Sequence, residues 1–135
     1  MRPAGFLELS HTADRALRVW APTMDELFSQ AASGMYKLMG VLCDDPGQYY
    51  RNISISAGDQ EGLLVAFLAE LLYLLERDRL LFNEFVFSQE EGILQIKMSG
   101  HPAIQNYNEI KAVTYHKIEI QQKMGIYEVI IVFDI

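Results

Sequence analysis

The sequence closes on Asp134-Ile135, so a side-chain carboxylate is followed one residue later by the chain's own. Two carboxylates with backbone carbonyls nearby are hard oxygen donors of the kind that hold Ca²⁺ or Mg²⁺. The plain alternative is a frayed, solvated chain end. A site built on this pair alone is thin, because Ca²⁺ takes ~6–8 oxygens and Mg²⁺ about six. One more acid is needed. Asp14 is the candidate, in the polar turn-forming cluster Ser10-His-Thr-Ala-Asp14. Periodicity by itself does not bring Asp14 to Asp134. Asp44 and Asp45 are acids too, but they precede Pro46-Gly47, where Asp commonly serves turn geometry.

The elements that must position these groups begin at the end of the chain. Val129 to Phe133 is an unbroken run of β-branched and aromatic residues, which reads as a strand buried on both faces. Lys111 to Ile120 reads as a long strand before it, and Lys123-Met-Gly125 as the turn between them. If that turn centres near Lys123-Met124, paired residue numbers sum to roughly 247. Lys111 then falls beside Ile135, and Val113 beside Asp134. Lys111 becomes a candidate counter-charge, in the simplest case a surface ion pair worth ~0–1 kcal/mol.

Upstream, Phe6–Leu9 and Ala16–Ala21 read as strands flanking a bend at His11 to Asp14. Leu17 and Val19 lie on one face of the second, Arg18 and Trp20 on the other. Thr23-Met-Asp-Glu26 is a capping box opening a helix to about Met39. Its Met residues suit either an adaptable groove or, at this spacing, plain core. Ile53–Ala57 reads as a strand. Asp59 caps a second helix, Gln60 to about Arg77, which is apolar around most of its circumference and must be covered on nearly all sides. Glu70 and Arg77 mark its expected solvated strip. Leu81–Phe87 and Ile93–Ser99 form a hairpin through Gln89-Glu-Glu-Gly92, and Gly100-His-Pro102 breaks the pattern. Late hairpin-joined strands argue for an α+β fold, a two-layer, mainly antiparallel sheet packed with two helices. No linker or low-complexity segment interrupts residues 1–135, so a single domain is expected.

Composition narrows the function. The chain has 135 residues, half of them hydrophobic, enough for a globular core. Its net charge of −7 makes it a poor direct binder of nucleic acid, so any link to RNA runs through another protein. The one cysteine, Cys43, has no partner for an internal disulfide, as in a reducing compartment. The amino terminus has no long apolar segment, and the Leu-rich stretch from Leu63 to Leu75 is too short to span a bilayer. A soluble, cytoplasmic protein with no membrane partner is expected. There is no phosphate-binding loop, and no Ser-His-Asp or Cys-His arrangement that reads as catalytic.

Several stretches taken together resemble the archease family. They are Leu9-Ser-His-Thr-Ala-Asp14, Met24 to Ala32 in the first helix, Leu63-Leu64 through Phe67 to Leu72 in the second, Ile110-Lys-Ala-Val-Thr-Tyr-His116, and the closing Val132-Phe-Asp-Ile135. The resemblance implies a compact α+β domain of strand-helix-strand-strand units. It also implies a function: archeases activate the GTP-dependent, RtcB-type tRNA-splicing RNA ligase, promoting its guanylylation and multiple turnover, without being ligases themselves. Contact with tRNA would then be indirect. The family's divalent cation, typically Ca²⁺, with Mg²⁺ or Mn²⁺ as alternatives, carries over onto Asp14, Asp134 and Ile135. Its functional lysine carries over onto Lys111, as a contact to phosphate or to the partner. Family members often have Ile-Gly or a similar pair after the motif Asp, where this chain has Arg15-Ala16. That guanidinium either weakens cation binding or points away.

His11 is read as fixing the bend and His116 as packing within a strand, since imidazole suits transition metals better than hard cations. His101 is read as a loop residue. The expectation is a non-catalytic ligase activator. The alternatives are a general chaperone or adaptor of protein–nucleic-acid complexes, and a small metal-dependent hydrolase using Asp14, Asp134 and Lys111, for which too few acids are visible.

Overall fold

Both helices start where their caps are written. The Thr23 hydroxyl accepts the Glu26 backbone N–H at 3.1 Å, and the Asp59 carboxylate accepts that of Gly62 at 2.7 Å. The first helix ends at Gly40, whose φ of 75° is the left-handed conformation that glycine adopts without strain. The computed structural model describes residues 3–9, 14–43, 48–104 and 107–135. The order is β1 (Gly5–Leu9), β2 (Arg15–Ala21), α1 (Met24–Met39), β3 (Leu42–Cys43), β4 (Tyr49–Ser56), α2 (Gln60–Asp78), β5 (Leu80–Glu90), β6 (Ile93–Ile104), β7 (Ala112–Val113), β8 (Gln121–Lys123) and β9 (Ile126–Asp134).

The α+β class stands, and the strands divide into two sheets. One is five-stranded, in the order β1-β2-β9-β7, with β8 also on β9; the other is four-stranded, with β6 flanked by β3 and β4 and by β5. Every strand pairing is antiparallel. Helix α1 packs against β1 and β2 of the first sheet and against β5 of the second, while α2 packs on β4, β5 and β7. The core therefore lies between the sheets and around both helices. Phe28, Phe67, Phe85 and Phe87 pack there through stacked and edge-to-face contacts, with ring centroids 5.2 to 5.9 Å apart. Met35 and Met39 are buried, so the methionines of α1 are core. Among the described residues no helix is long and apolar enough to cross a membrane.

Strand β6 runs straight through Gly100-His-Pro102, against expectation, because each breaker sits where the ladder tolerates it. A β-carbon at Gly100 would collide with the Leu81 carbonyl, at the point where β5 shifts register between Phe82 and Glu84. That irregularity lets both Phe82 and Phe85 face the core. Pro102 falls between the end of the β4 pairing at Gly100 and the start of the β3 pairing at Ala103. Its missing N–H therefore breaks no ladder bond on that side. His101 thus lies half-buried in a strand rather than in a loop.

The long strand expected over Lys111–Ile120 is absent; β7 and β8 are its two ends. The Thr114 hydroxyl accepts the His116 N–H at 3.3 Å, a local bond that competes with sheet pairing. Lys117 then turns at a φ of 53°. The Ile120 N–H is drawn instead to the Glu61 carboxylate on α2, at 3.0 Å. His116 is accordingly an exposed turn residue, not a packed strand residue.

Candidate functional site

Strand β9 runs between β2 on one edge and β7 and β8 on the other, and the site follows from its register. The last β2 pairing is Arg15 with Phe133, so Asp14 directly precedes and Asp134 directly follows that pair. On the opposite edge Ala112 pairs with Asp134, and the Lys111 N–H donates to the Asp134 carbonyl at 2.8 Å. Asp14, Asp134, Ile135 and Lys111 are therefore brought to one end of the five-stranded sheet. Val113 pairs with Phe133 rather than with Asp134. The turn of the last hairpin is Met124-Gly125, one position later than expected, with both residues at positive φ, as a two-residue type I′ turn requires. The irregular stretch between β7 and β8 takes up that offset.

Fully buried Phe133 anchors the end of the sheet, and alternation turns Asp134 to the other face, where it is exposed. Asp14 is exposed in its bend. Arg15 shares the face of Phe133. Its guanidinium bonds the Glu8 carboxylate at 2.7 Å and the Leu38 carbonyl at 2.9 Å. This answers the question posed by Arg15 after the motif acid: its charge is engaged on the face away from Asp14.

The acids of the grouping, Asp14 and Asp134, offer oxygen donors. That donor chemistry fits a hard divalent cation and leaves the remaining positions to water or a partner. Among the described residues no three His, Cys, Asp or Glu side chains are placed together to hold a metal ion. Ser10 to Ala13, including His11, and Asp44 and Asp45 lie outside the described residues.

A feature that the sequence reading missed adjoins this end. A cleft of about 630 Å³ opens between the second half of α2 and residues 107–113, with Lys111 on its rim. Glu70 is half-buried; the exposed strip of α2 is instead Ala69, Tyr73, Glu76 and Arg77. The signal was present in the spacing of Ala69, Leu72, Tyr73 and Glu76, one helical stripe. Arg77 lies over the Tyr73 ring, 5.0 Å from its centroid, and bonds Asp78 at 2.8 Å, which holds the Asp78 carboxyl below its ordinary range.

A family model described as Archease protein family (MTH1598/TM1083) matches residues 6–135. The chain is 35% identical to the "Protein archease" of Methanosarcina mazei over 136 aligned positions, covering 94% of this chain and 93% of that one. It is 33% identical to that of Methanopyrus kandleri, covering 87% and 90%. In fold it is similar to the solution structure of Methanobacterium thermoautotrophicum protein 1598, with a TM-score of 0.75 at 23% identity, covering 97% and 99% of the two chains. It is also similar to a Thermotoga maritima archease, described as a possible chaperone, with a TM-score of 0.68 at 19% identity, covering 94% of each.

Proposed function

The chain belongs to the archease family, and from that premise we propose that it is a non-catalytic activator of a GTP-dependent, RtcB-type tRNA-splicing RNA ligase. The observation that supports this reading is the meeting of β2, β9 and β7 at one end of the sheet, with Asp14 and Lys111 immediately before β2 and β7 and Asp134 at the end of β9. Asp14, Asp134 and the Ile135 carboxylate would hold a divalent cation, Ca²⁺ before Mg²⁺ or Mn²⁺, because a flexible carboxylate set suits the larger ion. When bound, the cation supplies positive charge that a phosphate or carboxylate of the partner can share. Lys111 adds a second cation at the rim, free to meet an anion on the ligase or its nucleotide. The chain positions groups for the ligase's guanylylation and carries out no bond chemistry of its own. RNA is reached only through the ligase.

The test is ligation by the cognate ligase with GTP and Mn²⁺ at substrate excess, with and without this protein. Stimulated guanylylation and multiple turnover are expected. Asp134→Ala should abolish the stimulation while circular dichroism shows the native fold. Unchanged turnover with the wild-type chain, or full stimulation by a folded Asp134→Ala, contradicts the reading. A second reading draws on the Thermotoga maritima relative, described as a possible chaperone: a general adaptor would protect unrelated proteins from aggregation and leave ligase turnover unchanged.

A further inference from the structure

The last turn of α1 leaves four backbone carbonyls without partners inside the helix. Two are met by the chain that follows at once. The Val41 N–H donates to the Tyr36 carbonyl at 3.1 Å, and the Gly40 N–H to that of Lys37 at 3.0 Å. The other two are met from far along the sequence. The Arg15 guanidinium donates to the Leu38 carbonyl at 2.9 Å, and the Asn108 N–H to that of Met39 at 2.8 Å. Arg15 directly follows Asp14, and Asn108 shortly precedes Lys111. Both segments that deliver the charged groups are thus fastened to one helix end.

The two attachments differ in kind. That of Asn108 is made by backbone, so any residue but proline supplies it. That of Arg15 is made by the side chain and depends on this residue. Its Nε and Nη2 also donate to one Glu8 oxygen, at 3.0 and 2.7 Å, so a single guanidinium ties β1, the start of β2 and the end of α1 together. Arg15 opens β2, and its pairing with Phe133 is the last between β2 and β9. The end of a ladder is where strands fray. Asp14 directly precedes this pair and Asp134 directly follows it. A guanidinium that pins the pair therefore sets the spacing of the two acids.

We propose that Arg15 is a positioning residue for the cation site, holding Asp14 and Asp134 in register by anchoring the terminal pair of β2 and β9 to the end of α1. The inference rests on the cation site of the activator reading, and Arg15 itself ligates nothing. The sign of its effect separates two accounts. A positive charge that acted beside Asp14 only as a charge would oppose Ca²⁺, and its removal would tighten binding. A brace acts the other way, and its removal loosens binding.

The experiment is a calorimetric titration of Ca²⁺ into wild type and Arg15→Met, with circular dichroism and a thermal melt on each. Arg15→Met keeps much of the apolar stem and loses every bond of the guanidinium. Its affinity is expected to fall about tenfold, the lower end of what losing a contact behind a metal ligand costs. An affinity equal to or above that of the wild type overturns the proposal and leaves the cation site standing. So does a lowered melting temperature with unchanged affinity, the mark of a brace that serves the fold alone. If Arg15→Met does not fold, Glu8→Ala takes its place, because it removes one arm of the brace at an exposed position. Weakened binding in that folded variant supports the brace, and unchanged binding overturns it. A wild-type chain that binds no Ca²⁺ overturns both the brace and the site on which it rests.

Discussion

Lys111 separates what its backbone does from what its side chain is free to do. Its N–H completes the pairing beside Asp134 at 2.8 Å, a bond that any residue but proline can make. Its exposed side chain makes no ion pair among the described residues. Lys111→Ala should therefore change stability by no more than about 0.5 kcal/mol, as exposed substitutions do, while lowering ligase stimulation more than tenfold. A thermal melt and the ligation assay on one preparation check both. A variant that unfolds, or one that stimulates fully, would contradict the role given to the side chain. Arg15 is the contrasting residue: next to Asp14 in sequence, it is committed to Glu8 and to the Leu38 carbonyl on the opposite face. Alternation along a strand turned a suspected competitor into a brace.

At the scale of elements, the register shift in β5 has to be supported from α1. The Phe82 N–H donates at 3.3 Å to the Tyr36 hydroxyl, whose ionisation burial pushes far above its ordinary range. Tyr36→Phe removes the acceptor and leaves a buried donor, which costs about 1–3 kcal/mol. Chemical denaturation should show that loss with an unchanged slope; a loss below about 0.5 kcal/mol would mean that the register shift supports itself. The same elements show how much was legible beforehand. Helix caps, apolar stripes and the alternation of β2 and β9 are local signals, and they located both helices and most strands. The division into two sheets was not legible, because β3 and β4, which pair with β6, lie far from it along the chain. The break in the penultimate strand depends on Glu61, on a different helix, capturing the Ile120 N–H. Val113 was expected beside Asp134 and pairs with Phe133, while Lys111, expected beside Ile135, donates its N–H to the Asp134 carbonyl; the turn itself lies one position later than expected. The cleft escaped notice because one of its walls is formed largely by the irregular residues 107–111 ahead of β7, which have no periodicity to read.

Across the whole molecule, the proposed cation site joins the first bend to the end of the last strand, so binding there would tie together residues 14 and 134. The chain carries a net charge of −7, and Asp14 and Asp134 are both exposed at that end of the sheet. Such a surface suits a partner protein that already holds cations and nucleic acid far better than it suits RNA itself. The most direct measurement is a calorimetric titration of Ca²⁺ into the wild-type chain, Asp14→Ala and Asp134→Ala, each shown to be folded. One site per chain is predicted in the wild type, with affinity reduced at least tenfold in both variants. Calcium binding that survives intact in either folded variant, or a wild-type chain that binds no divalent cation, would contradict the convergence on which the account depends.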